Sequence, residues 1–235
     1  MPDPYVIKAN ARSARQQLPE EVASYVREMI ISGEARPGDF LRMEPIAEAV
    51  GVSNTPVREG LLALRSEGFV KLVPRKGFVV EPFTRQDVRD LFWAQATLAG
   101  ELAARAAKAI TSAEIAQLEA ICERYKVAVD KGDDRALADL GHQFHRTVNT
   151  VADSHRLARL LGSVVKHLPN TFYAAIEGQV EHTSDDHPQI VEALHNSDAR
   201  RARKLMVDHI LSGGDALIET LAQRGLWRDQ EESVA

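Results

Sequence analysis

The chain has 235 residues, 44% of them hydrophobic and 27% charged, with a formal net charge of −5. That length allows two modest domains; no apolar run approaches the roughly 18 residues a membrane-spanning helix needs, and the polar start Met1–Gln17, with Lys8, Arg12 and Arg15, lacks the apolar stretch of a secretory signal. Its one cysteine, Cys122, has no partner for an internal disulfide, so the composition predicts a soluble, cytoplasmic, non-membrane protein.

The acidic total hides an uneven distribution. Residues 1–83 carry 11 Lys+Arg and 11 Asp+Glu, so residues 84–235, with 18 and 23, hold the whole surplus. Between residues 54 and 77, Arg58, Arg65, Lys71, Arg75 and Lys76 face only Glu59 and Glu67, a local charge of +3. A cationic strip on an acidic chain suits contact with phosphates. A solvated helix face would look the same from charge alone.

Residues 1–17 are expected to form a flexible tail. Leu18 to Ser32 repeats apolar residues at Val22, Val26, Met29 and Ile30, which is helical spacing, and Gly33 ends it. Arg36-Pro37-Gly38-Asp39 predicts a turn. A short helix around Ile46–Val50 closes at Gly51, and a second is predicted from Pro56 to Glu67, stopped by Gly68. Ser53, Asn54 and Thr55 are residues that cap a helix, and Pro56 suits a first helical position, where its missing N–H costs nothing. Val57, Leu61 and Leu64 should face a core, leaving Thr55, Arg58, Leu62 and Arg65 on another side. Val70–Val73 and Phe78–Val80 predict strands around the turn Pro74-Arg75-Lys76-Gly77. Helix, glycine turn, helix and basic hairpin together predict a winged helix-turn-helix over residues 18–82.

This stretch resembles the GntR family of bacterial transcription regulators, through Gly33, Pro37-Gly38, Leu41, Ile46-Ala47-Glu48, Gly51-Val52-Ser53, Thr55-Pro56-Val57-Arg58-Glu59, Leu61, Leu64, Glu67-Gly68 and Arg75-Lys76-Gly77. The resemblance implies binding to double-stranded operator DNA by a homodimer. Ser53, Asn54, Thr55, Pro56 and Arg58 would belong to the recognition helix, and Arg75, Lys76 and Gly77 to a wing that enters the minor groove; Arg65, which departs from the family pattern, would meet a phosphate. Arg58 would touch DNA, or else pair with Glu59 or Glu67. The family usually has arginine where this chain has Asn54. Asparagine prefers a bidentate contact with adenine, so Asn54 either alters the half-site or serves only as a cap.

After Thr84 no convincing strand alternation remains. Helices are predicted near 85–107, 112–130, 134–151, 154–177, 186–195 and 198–222, which implies an antiparallel bundle over residues 84–225 and a tail at 226–235. Ala103, Ala104, Ala106 and Ala107 mark a helix packed close to its neighbours. The fold class expected is therefore mainly α, a winged helix-turn-helix followed by an all-helical bundle.

All eight histidines lie between residues 142 and 209. On the helix from 134 the apolar stripe is Leu137, Leu140, Phe144, Val148 and Val151; Gly141 lies about 60°, His145 about 100° and His142 about 160° from its centre. His187 extends the stripe Ile190/Val191/Leu194, and His209 extends Ala202/Leu205/Met206. Each could be a core histidine bonded to a backbone carbonyl. Meeting at one point inside a bundle, neutral imidazoles would instead make a divalent-metal site of the Zn, Ni or Mn class.

The segments Phe144-His145-Arg146, Asp186-His187 with Ile190 and Ala193-Leu194, and Asp198, Ala202, Met206 and His209 resemble the FCD effector-binding domain of GntR regulators. The resemblance implies a metal held by one aspartate and three histidines, beside a pocket for a small carboxylate effector. His145, His187 and His209 match the histidines; the aspartate position falls on Gly141. Three outcomes stay open: a three-histidine site with open positions, a weak or empty one, or a pocket that recognises its ligand through Gln95, His145, His187 and His209 without metal. Gln95 and Ala99 stand where the family usually has Arg and Glu. The reading is a repressor of a metabolic operon and not an enzyme. The alternative is a metal-dependent hydrolase using the histidine cluster, for which no H-E-x-x-H, G-x-S-x-G or phosphate-loop motif is present.

Overall fold

A computed structural model describes residues 4–168 and 183–227 of the chain. Among these, nine helices and one three-stranded sheet form two compact units, residues 1–84 with 221–235 and residues 85–220. The protein is mostly helical, as expected. No helix among the described residues is long and apolar enough to cross a membrane.

In the first unit, helix α1 (Pro4–Ile31) buries Val22, Ala23, Val26 and Ile30. It takes in most of the segment expected to be a tail; the run Ala9–Gln17 is rich in Ala, Arg and Gln, which favour helix without an apolar stripe to announce it. α2 (Met43–Val50) ends at Gly51, whose φ of 74° places it in the left-handed region, and the Val52 amide closes back on the Ala47 carbonyl at 2.9 Å. That reversal sends the chain into α3 (Asn54–Ser66).

α3 starts two residues earlier than expected, so Pro56 is its third residue. The whole first turn lacks intrahelical amide partners, and proline is tolerated throughout it. Val57, Leu61 and Leu64 are fully buried. Gly60 permits the tight approach of α1: a Cβ there would lie 2.7 Å from the Pro19 carbonyl oxygen and 2.9 Å from Val22 Cγ1.

Strands β2 (Val70–Val73) and β3 (Gly77–Val80) form the expected hairpin. A two-residue strand, β1 (Phe40–Leu41), pairs with the other side of β3, giving the order β1-β3-β2. At two residues it is too short to show alternation in sequence. Trp227, expected in a tail, is 1% exposed and donates from Nε1 to the Phe83 carbonyl at 2.7 Å, so this residue belongs to the first unit.

The second unit contains α4 (Arg85–Ala109), α5 (Ser112–Lys131), α6 (Asp134–Val151), α7 (His155–Val165), α8 (Thr183–His195) and α9 (Ala199–Gln223) up to Thr220. The helix expected at 154–177 ends at Val165; its remainder falls outside the described residues. Capping behaves as the sequence suggests: Thr111 and Glu114 form a reciprocal box, and Asp133 Oδ1 accepts from the Ala136 amide at 3.0 Å. Ala103, Ala104, Ala106 and Ala107 of α4 are buried, and a Cβ on Gly100 would lie 2.6 Å from Val207 of α9. Leu102, Leu118, Phe144, Val148, Ile190 and Met206 fill the core between the helices.

Candidate nucleic-acid interface and imidazole centre

The helix-turn-helix offers a polar, unpaired face. Ser53, Asn54, Thr55, Arg58 and Arg65 are exposed along α3, whereas Pro56 is buried and belongs to the core rather than to a contact surface. Ser53 sits at the N-cap without a side-chain capping bond, so its hydroxyl is not used by the helix. Glu67, a candidate partner for Arg58, is taken by Arg27, whose Nε and Nη2 reach its carboxylate at 2.8 and 3.0 Å. Arg27 is 2% exposed, so this pair ties the end of α3 to α1. Among the described residues Arg58, Arg65, Arg75 and Lys76 make no ion pair. Lys71 differs, pairing with Glu81 at 2.6 Å.

The hairpin tip is shaped by backbone geometry. The Lys76 amide donates to the Val73 carbonyl at 3.1 Å, with Pro74 at the second turn position and Arg75 at the third with φ 65°. A turn of this type needs positive φ at that third place. Arg75 and Lys76 are both exposed there, and Gly77 follows with φ 100°.

In the helical unit, His145 of α6, His187 of α8 and His209 of α9 converge, each offering a ring nitrogen within 4.8 Å of the others. His145 Nε2 and His209 Nε2 are 3.3 Å apart. Two nitrogens each about 2.0–2.1 Å from a tetrahedral zinc would be separated by about 3.3 Å. His209 Nδ1 lies 3.2 Å from Asp186 Oδ2. A proton on Nδ1 facing that carboxylate leaves the Nε2 lone pair toward the cluster, the arrangement by which carboxylates orient metal-binding histidines.

His187 is 1% exposed and stacks on Phe144 with ring centroids 3.9 Å apart, yet neither of its nitrogens has a hydrogen-bond partner among the described residues. Buried polar atoms left in this state cost about 1–3 kcal/mol, and a metal ion is a group that would satisfy one of them. The backbone-carbonyl alternative does not describe these rings: the bonds found are to Asp186 and between imidazoles. Burial, reinforced by the neighbouring His209 and then His142, pushes the His145 imidazole down to about 3. His187 is driven well below the ordinary value by burial first, then by His209 and His145. Both rings are therefore neutral near pH 7, the state that ligates metal.

The residues present fit a metal through three nitrogens. Gly141, one turn before His145, is buried and offers no donor. Asp186, and Phe144 beyond its place on an apolar stripe, are the contributors to the site that the sequence does not announce. Asp186 is adjacent to His187 in sequence yet serves His209, a pairing only the meeting of α8 and α9 reveals.

A cavity of about 320 Å³ adjoins the cluster, reaching His145, His209 and Gln95. His187, expected to touch the effector, is not among the lining residues; it lies behind, inside the core. His142, expected to be solvated, is exposed and borders the cavity, as does Arg146.

Residues 18–80 match the family model "Bacterial regulatory proteins, gntR family", and residues 90–212 match the model "FCD domain". The chain is 22% identical over 222 residues to the HTH-type transcriptional repressor RspR of Escherichia coli, covering 92% of this chain and 96% of that protein. It is 23% identical over 187 residues to the HTH-type transcriptional regulator YdhC of Bacillus subtilis, covering 78% and 84%. Among solved structures, McbR/YncC of E. coli has the same fold, with a TM-score of 0.64 at 21% identity over 86% of this chain and 97% of that one.

Proposed function

Because the chain belongs to the gntR family of bacterial regulatory proteins, with an FCD domain as its second part, it is a transcriptional regulator, and we propose that it acts as a homodimeric repressor released by a small organic acid. Two copies would place two recognition helices on a two-fold-related operator, as helix-turn-helix dimers do. Arg58, with Asn54 and Thr55 beside it, reads the major groove; Arg75 and Lys76 meet the minor groove or its phosphates, and Arg65 a phosphate. The observation that carries this is the set of exposed arginines and Lys76 on α3 and the hairpin, which no carboxylate among the described residues neutralises.

His145, His187 and His209 would hold a divalent metal of the Zn, Ni or Mn class, which, when bound, supplies an electrophilic centre for the effector's carboxylate. Asp186 orients His209, and the stacked Phe144 ring fixes His187. Effector binding favours one of two arrangements of the dimer and so lowers operator affinity. The hydrolase alternative has only the histidines to support it, and the relatives are regulators.

Operator affinity of Arg58→Ala tests the reading by gel shift. A loss of roughly 1–3 kcal/mol is expected from removing one base-reading arginine. Unchanged affinity in a folded variant would remove α3 as the recognition helix.

A further inference from the structure

Leu62 is 40% exposed on α3, where the other large apolar residues, Val57, Leu61 and Leu64, are fully buried. At about 100° per residue it points about 170° away from the mean direction of the helix's buried residues, against about 130° for Arg58 and about 110° for Arg65. The leucine is thus the side chain aimed most squarely outward. Arg58 stands one turn before it and Arg65 nearly one turn after, and neither makes an ion pair among the described residues. An apolar group set between two free cations does not suit a second copy of the same face, which would bring arginine against arginine. A polyanion complements it. Leucine neither donates to a base edge nor pairs with a phosphate, and the apolar group it can cover in the major groove is the C5-methyl of thymine.

We infer that Leu62 reads a thymine methyl in each half-site of the operator, close to the base pair that Arg58 contacts. The inference rests on the reading of α3 as the recognition helix, and it adds a base preference that no hydrogen bond supplies. Leu62 lies about 6 Å along the helix from Arg58, less than two base-pair steps of about 3.4 Å. Cytosine in that place would turn its N4 amino group, a donor, toward an alkyl chain that cannot accept from it. Uracil would pair as thymine does and leave the leucine uncovered. Covering one methyl is equivalent to about fourfold in affinity, so two half-sites together give about fifteenfold.

The probe is the tightest duplex that the full-length protein selects from a random-sequence library. Each of its thymines is replaced in turn, in both half-sites, by deoxyuridine, which removes the methyl and keeps the pairing. At one position per half-site the wild type should lose about fifteenfold in gel-shift affinity, and 5-methylcytosine there should bind more tightly than cytosine. Leu62→Ala should bind the thymine and deoxyuridine duplexes within about twofold of each other. Circular dichroism and sedimentation should show that variant folded and in the wild-type oligomeric state. A wild type indifferent to every deoxyuridine, or a deoxyuridine penalty kept in full by Leu62→Ala, would overturn the inference. So would a changed oligomeric state, which would assign Leu62 to a contact between copies. Arg58→Ala on the same duplex separates the two readings: weakened binding beside any of these results leaves α3 as the recognition helix, whereas unchanged binding removes both. A library that yields no preferred duplex would also take both down.

Discussion

Replacing His187 by leucine should make the metal-free protein more stable, the reverse of what core substitutions usually do. His187 is 1% exposed and its two nitrogens, one donor and one acceptor in the neutral ring, find no partner among the described residues. Each unmet group costs about 1–3 kcal/mol, which leucine abolishes. Against this stands the loss of the stack on Phe144, with centroids 3.9 Å apart, and of the edge contact to Tyr125. Aromatic pairs contribute about 0.5–1.5 kcal/mol. The net expectation is a gain of roughly 1–3 kcal/mol, which raises the melting temperature by about 2–4 °C per kcal/mol for a chain of this size. Calorimetry in chelator measures it. With zinc added, the wild type should gain stability by mass action while the leucine variant stays put, so the order of the two proteins reverses. A variant that melts lower than wild type in chelator, or that keeps the wild-type response to zinc, would refute the reasoning.

The same buried imidazoles set a pH dependence in chelated protein. The unfolded chain's imidazole, near pH 6.5, takes up a proton before His145, held at about 3, or His187, so stability is complete above pH 6.5 and falls below it by about 1.4 kcal/mol per pH unit for each ring. A melting temperature that holds level from pH 7.5 to 5 would contradict this, and His187→Leu should show a shallower fall. Gly60→Ala should destabilise by about 1–3 kcal/mol in urea titration despite alanine's better helix propensity, because its Cβ would sit 2.7 Å from a backbone oxygen; a stabilised variant would mean that α1 and α3 separate easily. Trp227→Phe should cost about 1–3 kcal/mol by leaving the Phe83 carbonyl without its donor, and equal stability would show that the C-terminal end does not secure the winged unit.

The winged unit was legible because its signals are local. Gly51 must take a positive φ, Val57, Leu61 and Leu64 repeat at helical spacing, and the turn before Gly77 separates two apolar runs. Each of these facts lies within a few residues of its consequence. Trp227 was read as part of a tail because its partner, Phe83, is 144 residues away. Nothing near residue 227 could announce that contact. The start of α1 was missed for another reason: helix propensity without an apolar stripe cannot be told from a solvated tail.

The imidazole centre lies between these cases. Helical angle put His187 and His209 on core-facing stripes and His145 at a stripe edge, and the three do meet. Angle within one helix ranks residues by burial, however, and a ligand site also depends on depth along each axis and on which neighbour stands opposite. That is why His187 was expected on the cavity wall and instead lies behind it against Phe144 and Tyr125. It is also why Asp186 had no assigned role although it adjoins His187: one helical position turns its carboxylate toward α9 and His209. The division of labour follows from that small rotation. His145 and His209 face both the cluster and the cavity, so a ligand in the cavity reaches the centre through them, whereas His187 can act on a ligand only through its neighbouring rings or an ion held with them.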